Sequence, residues 1–353
     1  MIKKRTKLIS VLPDYLSYRL NEYIELSNEM DVNLIIGDSG VGFKEYKEKY
    51  HAAFRCKVSK VTKIWKFFYQ SKTVKSYLFD NYDVFFIQAN FRFLDFWLII
   101  LLNVLLNRNL LCHGQGLYRY DKPSLIRRLV YKYVVSSSKK YICYNSFSSN
   151  DLKSKIGMSE RIDFVNNTIR FSSTTSLPRS KRYDGDLIFI GRLRKRSNVL
   201  ELISAFESSH ISLSRKLHII GDGELLELCR DSSKSANVIF HGHISDECEI
   251  SRISEPCSFG VYPGDAGLSL VHYAHLNLIP IFHSEYSSHM GPEFAYFLDI
   301  EEHVSFIRGN MDDAILRIEN ITEINFEYVS KSMSRCYQSI DEKSFGKAFK
   351  DVI

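Results

Sequence analysis

The sequence predicts an α/β protein of two domains, each built on a parallel sheet, and three observations lead to this fold class. Its 353 residues exceed one ordinary core and suit two domains of about 150–180 residues. Short apolar runs typical of strands alternate with segments of helical periodicity. In the second half, four successive strands each end in a glycine turn and lead into a helix, which indicates right-handed crossovers.

The composition is that of a globular protein, with 45% apolar and 25% charged residues. The seven cysteines are scattered and form no CxxC pair, so neither a disulfide framework nor a zinc site is indicated. A reducing cytosol is therefore the expected compartment. The basic start, MIKKRTKLISVLP, has only a short apolar run and no small-residue cleavage site, and we interpret it as a first strand, not a signal peptide.

The charge is divided unevenly along the chain. Residues 1–180 hold about 29 lysines and arginines against 15 aspartates and glutamates, roughly +14, and the remainder carries roughly −8. A basic first half suits anionic lipid or a phosphate-bearing acceptor. Nucleic acid is the other usual partner of basic charge, but no recognition motif accompanies it, so we expect none.

The first half begins with a strand at Lys7–Leu12, a helix at Ser17–Met30 and a strand at Val32–Ile36. No glycine-rich turn follows the first strand, so the dinucleotide fingerprint is absent and the nucleotide site is expected elsewhere. The remaining predicted elements are strands at Asp83–Gln88, Leu110–Gly116, Tyr141–Tyr144 and Ile162–Val165 and a helix near Ser149–Lys155.

Two basic segments of the first half are interleaved with apolar residues. Lys57–Lys75 carries six lysines among valine, isoleucine, tryptophan and phenylalanine, which suits a helix in a lipid headgroup region or a helix packed on its own domain. Ser124–Lys132 repeats the pattern and favours a membrane surface. Phe96–Leu106 is apolar but far shorter than the ~20 residues of a spanning helix, so we expect a buried core helix there and no transmembrane segment.

His113 lies at the end of the Leu110–Gly116 strand. The carboxyl ends of parallel strands face the crevice where open α/β sheets bind ligands, so His113 is a candidate functional residue or a structural hydrogen-bonding group. The Ser/Thr-rich stretch Phe171–Tyr183 has no apolar period and is typical of a linker between the domains.

The four strand–turn–helix units of the second half place several polar residues on one edge of a sheet. The units comprise the strands Asp186–Ile190, Lys216–Ile220, Val238–Phe240 and Phe259–Val261, each with its glycine turn and following helix. Arg192, Gly223, His243 and the turn Gly264–Gly267 can therefore line one crevice. Arg194, Lys195 and Arg196 follow Arg192, and cations beside a phosphate-binding turn are chemically reasonable.

The stretch Val261–Phe282, VYPGDAGLSLVHYAHLNLIPIF, is the centre of the predicted site. A helix that starts after a glycine turn presents free backbone N–H groups to an anion. Gly264 and Gly267 leave no side chain between the backbone and a docked ligand. We interpret this turn as the site of a nucleotide-sugar diphosphate, with a plain strand–helix turn in a buried sheet as the alternative.

The second half resembles the donor-binding domain of the family 4 glycosyltransferases. The similar pieces are IGRLRKRSNVLELISAF, HIIGDGELL, VIFHGHIS, the stretch at 261–282 and MGPEF, over residues 186–300. HGQG, the Tyr144 segment and NNTI resemble the acceptor domain more loosely. The resemblance implies the GT-B fold, with two Rossmann-like domains whose parallel sheets face a central cleft. The implied parts are an acceptor domain at 1–172, a linker at 173–184, a donor domain at 185–340 and a helix at 341–353 that returns to the first domain.

This chain departs from the family at two places. Members usually carry two glutamates eight positions apart, where this chain has Gly264 and His272, and a lysine where it has Ser197. The PGxxGLxxxH pattern resembles a variant subgroup that builds bacterial surface polysaccharides, O-antigen or capsule. By resemblance Arg192, with Lys195 or Arg196, neutralises the diphosphate. His272 binds the ribose or base, Glu293 lies near the donor sugar, and His113 lies beside the reacting centre. The remaining donor-site residues that this reading implies are Gly223, His243, Gly264, Asp265, Gly267 and Leu268.

The resemblance implies a retaining glycosyltransferase of the hexosyltransferase type that needs no metal or other cofactor. Its expected partners are a nucleotide-sugar donor, a lipid-linked oligosaccharide acceptor and the anionic inner face of the cell membrane, to which it binds peripherally. A metal at His241/His243 or His272/His275 is disfavoured because no carboxylate or thiolate completes a ligand set. Two alternatives remain: an inactive partner subunit that binds donor or glycan, and a nucleotide-sugar epimerase of the same fold.

Overall fold

The computed structural model describes residues 5–14, 17–38, 53–169 and 181–353. The chain divides into two compact units, of which the first comprises Met1–Arg170 and Glu342–Ile353 and the second Phe171–Asp341. Of the predicted linker at 173–184, residues 173–180 lie outside the described residues.

The first unit alternates strands and helices after an initial strand. Its elements are β1 (Lys7–Leu12), α1 (Ser17–Ser27), β2 (Asp31–Asp38), β3 (Arg55–Ile64), β4 (Phe67–Gln70), α2 (Thr73–Phe79), β5 (Val84–Gln88), α3 (Leu94–Leu106), β6 (Leu110–Gly114), α4 (Leu125–Ser136), β7 (Lys140–Cys143), α5 (Ser146–Ile156), a 3₁₀ turn (Ser159–Arg161) and β8 (Ile162–Phe164).

These strands form one sheet in the order β4-β3-β2-β1-β5-β6-β7-β8, in which only the β3–β4 pair is antiparallel. Alternate residues of β1 enter two different apolar clusters, with Leu8 and Leu12 in one and Ile9 and Val11 in the other. Because successive side chains of a strand point to opposite faces, both faces of β1 are covered, which explains its continuous apolar run.

The end of the chain belongs to the first unit. Helix α13 (Phe345–Ala348) and a 3₁₀ turn (Phe349–Asp351) follow α12 (Glu323–Glu342). Phe345 and Phe349 are buried in the cluster that contains Leu8, and the Phe86 and Phe349 rings lie 4.8 Å apart. The described end of the chain therefore completes one layer of this core.

The helix predicted over Lys57–Lys75 is wrong. Residues Arg55–Ile64 form β3, which pairs with β2 over six residues, and Phe67–Gln70 form β4, which returns along β3 as a hairpin. The valines, threonine and aromatic residues of this stretch suit a pleated strand, and its lysines occupy solvated positions that either structure would tolerate. Pairing with β2 therefore decides the conformation.

The helix predicted at Phe96–Leu106 is confirmed as α3, but its expected burial holds on one side only. Phe96, Ile99, Ile100 and Asn103 of α3 are buried, but Leu98, Leu101 and Leu105 are exposed, Leu105 by 79%. Positions 98, 101 and 105 share one helical face, so α3 carries an apolar stripe on its outer side. Within the described residues, no helix combines the length and apolarity needed to span a membrane.

The second unit repeats the alternation of strands and helices. Its elements are β9 (Asp186–Ile190), α6 (Val199–Ser208), β10 (Leu217–Ile220), α7 (Leu226–Ser232), β11 (Val238–Gly242), α8 (Glu247–Ser254), β12 (Cys257–Tyr262), α9 (Ser269–His275), β13 (Ile279–His283), α10 (Glu301–Val304), β14 (Ser305–Phe306), α11 (Met311–Glu319) and α12, with 3₁₀ turns at Lys195–Ser197, His210–Leu213, Tyr286–Ser288 and Pro292–Ile300.

The second sheet is parallel throughout, in the order β11-β10-β9-β12-β13-β14. In chain order this is 3-2-1-4-5-6, the arrangement of doubly wound sheets. The predicted parallel sheet of four glycine-terminated strands is confirmed, and two further strands extend it. The strand order reverses between β9 and β12, and the carboxyl edge of that pair is where such sheets bind ligands.

Candidate functional site

The candidate site lies at the carboxyl ends of β9, β10 and β12, where three turns pack on one another. The Leu193 N–H donates to the carbonyl of Asp222, and the Asp265 N–H donates to the carbonyl of Arg196, each at 3.0 Å. The turn after β9 is thus hydrogen-bonded to the turns on both sides of it.

Glycines allow this close approach. A Cβ placed on Gly264 would lie 2.0 Å from the carbonyl oxygen of Arg196. Gly223 has a φ of +155°, and a Cβ there would lie 2.4 Å from the carbonyl oxygen of Leu193. No side chain fits at either position without backbone movement, so these glycines set the spacing of the turns.

A cavity of about 540 Å³ opens at this edge, within the size range of small-molecule sites. It is lined by Ile190, Gly191, Arg192, Ile220, Gly221, Asp222, Gly223, His243, Ile244, Ser245, Glu247, Ile250 and His272. Four residues predicted from the sequence, Arg192, Gly223, His243 and His272, are thus brought together, but the Gly264–Gly267 turn predicted to join them does not line this cavity. Arg192 and His243 are exposed at the cavity, and His272 is buried.

Glu247 is a cavity residue that the sequence reasoning missed. It is the first residue of α8, and its Oε2 lies 3.2 Å from Nε2 of His272 on α9. The pair places a carboxylate and an imidazole at one wall of the cavity. Such a pair can accept hydrogen bonds from sugar hydroxyl groups and donate one to an oxygen acceptor.

Asp265 organises the base of the glycine turn. Its buried carboxylate accepts hydrogen bonds from Arg196 Nε at 2.8 Å and from Arg308 at 2.9 Å. Burial favours the neutral acid, but the hydrogen bond from Arg196 and the charges of both arginines outweigh it and lower the pKa of Asp265. Arg308 also pairs with Glu285 at 2.9 Å. Asp265 therefore fixes the position of Arg196, whose own side chain is more than half exposed.

Two buried histidines, His283 and His289, support the Gly264–Gly267 turn. The Ala266 N–H donates to Nδ1 of His289 at 3.0 Å, so Nε2 of His289 carries the proton that it donates to the His283 carbonyl at 2.9 Å. The two rings stack with centroids 4.1 Å apart. Burial, together with Arg308, lowers the pKa of His283 to about 4, and burial, together with His283, lowers the pKa of His289 to about 3. Both rings are neutral at pH 7.

This neutral pair predicts an acid-sensitive stability. Unfolded histidines bind protons below pH ~6.5, whereas His283 and His289 stay neutral in the folded chain to about pH 4 and about pH 3. The unfolded state therefore binds more protons in this window, and the free energy of unfolding falls as the pH drops from 6.5 toward 4, by up to ~1.4 kcal/mol per pH unit for each histidine. Urea unfolding followed by circular dichroism at several pH values measures this slope.

The matched variant for this measurement is His289→Asn, which keeps a hydrogen-bond acceptor near Nδ1 but does not titrate. We expect a shallower loss of stability below pH 6.5 than in the unmodified chain. Equal slopes would show that the pKa of His289 is the same in the folded and unfolded states, which contradicts the prediction.

Glu293 and Leu268 lie beside the Gly264–Gly267 turn, close to Gly267. The Met290 N–H donates to the Ala266 carbonyl at 2.7 Å, which joins the MGPEF segment to the turn. The carboxylate of Glu293 is buried next to Gly291 and Gly267, since a Cβ on these glycines would lie 2.1 Å and 3.9 Å from its Oε2. Leu268 is half-buried, and its carbonyl accepts the His272 N–H at 3.0 Å.

Lys195 and Ser197 belong to the 3₁₀ turn after β9. Lys195 is exposed. Ser197, at the position of the family lysine, is buried and donates its hydroxyl hydrogen to the Arg194 carbonyl at 2.6 Å. A short residue therefore closes this turn where the resemblance implies a long cation.

His113 is in the first unit, at the end of β6. Its ring is buried 4.6 Å from the Tyr144 ring and 5.3 Å from the Phe86 ring, and its Nε2 makes no hydrogen bond to the described residues. Burial, together with the charge of Arg19, keeps the pKa of His113 well below its usual range. A neutral imidazole with an unused nitrogen is suited to a proton-transfer or hydrogen-bonding role, and the role predicted for His113 stays a prediction.

Hydrogen bonds join polar side chains of α1 to the segment after β8 and to α13. Arg19 donates to Asn167, Thr168 donates to Glu22, and the Gly346 N–H donates to Glu22 Oε2 at 2.7 Å. Burial raises the pKa of Glu22, an effect that the bonds from Thr168 and Gly346 oppose.

The histidines weighed as metal ligands make contacts with other side chains. His241 Nε2 lies 2.9 Å from His218 Nδ1, and the Tyr337 hydroxyl lies 2.8 Å from His275 Nδ1. His243 and His272 line the cavity, where the carboxylate of Glu247 lies 3.2 Å from Nε2 of His272. That no metal takes part in the reaction stays a prediction.

Two residues escaped prediction for identifiable reasons. Glu247 follows Asp246, whose side chain caps α8, and its place at a strand–helix junction was the one available signal. Arg308 follows β14, a two-residue strand with no apolar run of useful length. Arg308 could not be placed at the site because β14 was not predicted.

No protein-family model matches the sequence, and no curated protein matches it. Several solved structures have a similar fold. Alr3699/HepE of Anabaena, in complex with UDP and glucose, has a TM-score of 0.66 and 12% identity over 99% of both chains. The lipopolysaccharide outer core galactosyltransferase WaaB has a TM-score of 0.63 and 12% identity over 98% of both chains.

A glycosyltransferase from Rickettsia africae ESF-5 has a TM-score of 0.68 and 11% identity, with 99% of this chain and 97% of that chain covered. Identities this low show the fold alone. The structural similarity and the two mostly parallel sheets establish that this chain is an α/β protein with the GT-B fold.

Proposed function

We propose that the chain is a glycosyltransferase that takes a sugar from a nucleotide-sugar donor. The observation that carries the proposal is the cavity at the carboxyl ends of β9, β10 and β11, lined by Arg192, His243, His272 and Glu247. Its volume suits a nucleotide, and its position is where doubly wound sheets bind nucleotides. The solved complex of HepE with UDP-glucose supports the same ligand class.

The residues at the edge can serve the separate parts of such a donor. Arg192 is exposed at the cavity and can bind the diphosphate in a bidentate manner, which stabilises the charge that develops on a leaving nucleoside diphosphate. Glu247 and His272 can hydrogen-bond ribose hydroxyl groups. Lys195, Arg196 and Glu293 are proposed to act nearer the sugar and phosphates. The transfer is proposed to proceed with retention and without a metal.

The acceptor is proposed to be a lipid-linked oligosaccharide of bacterial surface-polysaccharide assembly. The chain would then act peripherally at the inner face of the cell membrane. Exposed apolar residues of the first unit support this, since the outer stripe of α3 is accompanied on α4 by Ile126, 75% exposed, and by Leu129. Arg127, Arg128 and Lys132 of α4 supply cations for anionic headgroups.

A thermal-shift panel tests the donor proposal. A bound ligand raises the apparent stability by mass action, so the correct nucleotide-sugar at a hundredfold excess over its Kd should raise the melting temperature by roughly 5–10 °C. UDP-, GDP-, ADP- and CMP-sugars form the panel, with inorganic pyrophosphate as the control for phosphate alone. If no nucleotide-sugar shifts the melting temperature, the proposal is wrong.

A non-catalytic donor-binding subunit is the second candidate. Gly264 occupies the position of a family glutamate, and its contact with the Arg196 carbonyl leaves no room there for any side chain. The turn therefore has no carboxylate at this position, and the Arg196 backbone occupies the space that a glutamate side chain would need. If the purified chain binds the donor but neither transfers its sugar nor hydrolyses it, the result favours this candidate over an enzyme.

A further inference from the structure

The β3–β4 hairpin ends in a tight turn with an unusual residue at its tip. Ile64 and Phe67 form the last cross-strand pair, and Trp65 and Lys66 make the turn between them. Trp65 has a φ of 55°, in the left-handed region that glycine, asparagine and aspartate adopt most readily. A bulky side chain in this conformation carries a backbone strain that a smaller residue would avoid.

The side chains of this tip point into solvent. Trp65 is 75% exposed, and its neighbours Ile64 and Phe67 are exposed as well. The indole contacts the Phe67 ring at a centroid distance of 6.5 Å and the Lys66 ammonium at 4.7 Å. The tip thus has both a strained backbone and hydrated apolar surface, a combination that indicates a binding role rather than a folding role.

Two lysines flank the indole at the tip. Lys63 and Lys66 are exposed and form no ion pair with the described residues, in contrast to Lys57, which pairs with Asp80. Lys72 and Lys75, both exposed, lie at the other end of the hairpin, where the Ser71 N–H donates to the Lys60 carbonyl. A surface that covers the indole must therefore also accept the ammonium groups of Lys63 and Lys66.

The hairpin is anchored firmly enough to present this tip. The Phe68 N–H donates to the Arg92 carbonyl at 2.8 Å, and the Gln70 N–H donates to Asp95 Oδ1 at 2.9 Å. Strand β4 is therefore joined to the segment that begins α3, the helix with the exposed leucine stripe.

We propose that the tip of the β3–β4 hairpin inserts Trp65 into the interface of an anionic lipid membrane. Tryptophan favours the boundary between headgroups and acyl chains because its ring is apolar and its N–H is polar. Lys63 and Lys66 contact the anionic headgroups beside it. The proposal rests on the membrane attachment proposed above and makes it specific, but it shares no residue with the donor cavity.

Tryptophan fluorescence tests the insertion directly. The chain has two tryptophans, and Trp97 is half-buried with its Nε1–H donated to the Phe91 carbonyl at 3.0 Å, so Trp65 is the water-exposed one. Vesicles of equal parts phosphatidylglycerol and phosphatidylcholine should shift the emission to shorter wavelength, and brominated acyl chains should quench it. Pure phosphatidylcholine vesicles should give a much smaller shift at the same lipid concentration.

Two variants assign the effect. Trp65→Asn suits the left-handed backbone and should keep or raise the melting temperature, abolish the shift and weaken vesicle binding. Lys63→Gln with Lys66→Gln should weaken binding by roughly 25-fold, at about fivefold per lysine. Leu213→Ser, at a leucine of the second unit that is 83% exposed, and Lys216→Gln are matched controls and should bind as the unmodified chain does.

Three results would overturn the proposal: no emission shift with anionic vesicles at low salt, equal binding by Trp65→Asn, or a concentration-dependent shift without lipid, which would indicate a second copy at the tip. The nucleotide-sugar panel run on the same proteins separates this proposal from the donor site. Donor stabilisation without vesicle binding contradicts the hairpin proposal and the membrane attachment but not the donor site, and vesicle binding without donor stabilisation contradicts only the donor proposal.

Discussion

Replacing Arg192 by alanine is expected to lower sugar transfer, or donor hydrolysis, by about two to three orders of magnitude, the usual cost of losing one group that stabilises developing charge. The melting temperature without ligand should not change, because Arg192 is exposed at the cavity and is not part of the core. Steady-state rates with the donor found by the thermal-shift panel measure the effect.

Arg230→Ala is the matched control for this experiment. Arg230 is an exposed arginine of the same unit that pairs with Glu227 on α7, away from the cavity. The Arg230→Ala substitution removes the same charge as Arg192→Ala, and we expect this variant to be fully active. If Arg192→Ala is also fully active, the cavity does not hold the diphosphate.

Gly264→Ala is expected to disrupt the donor site through the backbone alone. The added Cβ would stand 2.0 Å from the Arg196 carbonyl oxygen and 2.7 Å from the Ser197 carbonyl carbon, so the turns after β9 and β12 must separate. Overpacking of this kind costs about 1–3 kcal/mol of stability. Because the displaced turn leads into Asp265, the donor Kd should rise at least tenfold.

Gly157→Ala separates the clash from the general effect of replacing a glycine. Gly157 has a φ of +71° with no atom near its Cβ position, and it ends α5 in the first unit. Its replacement should cost about 1 kcal/mol of stability and leave donor affinity unchanged. Tight donor binding by Gly264→Ala would mean that the two turns can move apart without harm.

The second sheet could be predicted because its signals are local. Each of the first four strands is a short apolar run that ends at a glycine, and a helix follows each one. The residues after those glycines meet at the carboxyl edge of the sheet regardless of loop conformation. Arg192, Gly223, His243 and His272 could therefore be identified from the sequence.

The hairpin and the exposed face of α3 could not be predicted for a different physical reason. Lysines with interspersed apolar residues suit a solvated helix and an edge strand equally, and only the pairing of β3 with β2 distinguishes them. A mostly apolar segment such as Leu94–Leu106 does not reveal whether it is covered on one side or two, because burial depends on what packs against it.

The sequence by itself determined the parallel sheet of the second unit, its carboxyl edge and the glycine turns at that edge, since strand periodicity and glycine positions are properties of the chain. Only the tertiary structure decided which side chains complete the site. Glu247 reaches His272 from another helix, Asp265 joins Arg196 to Arg308, and His289 holds Ala266 from a segment 23 residues away. Contacts between residues distant in the chain depend on packing, and no local pattern records them.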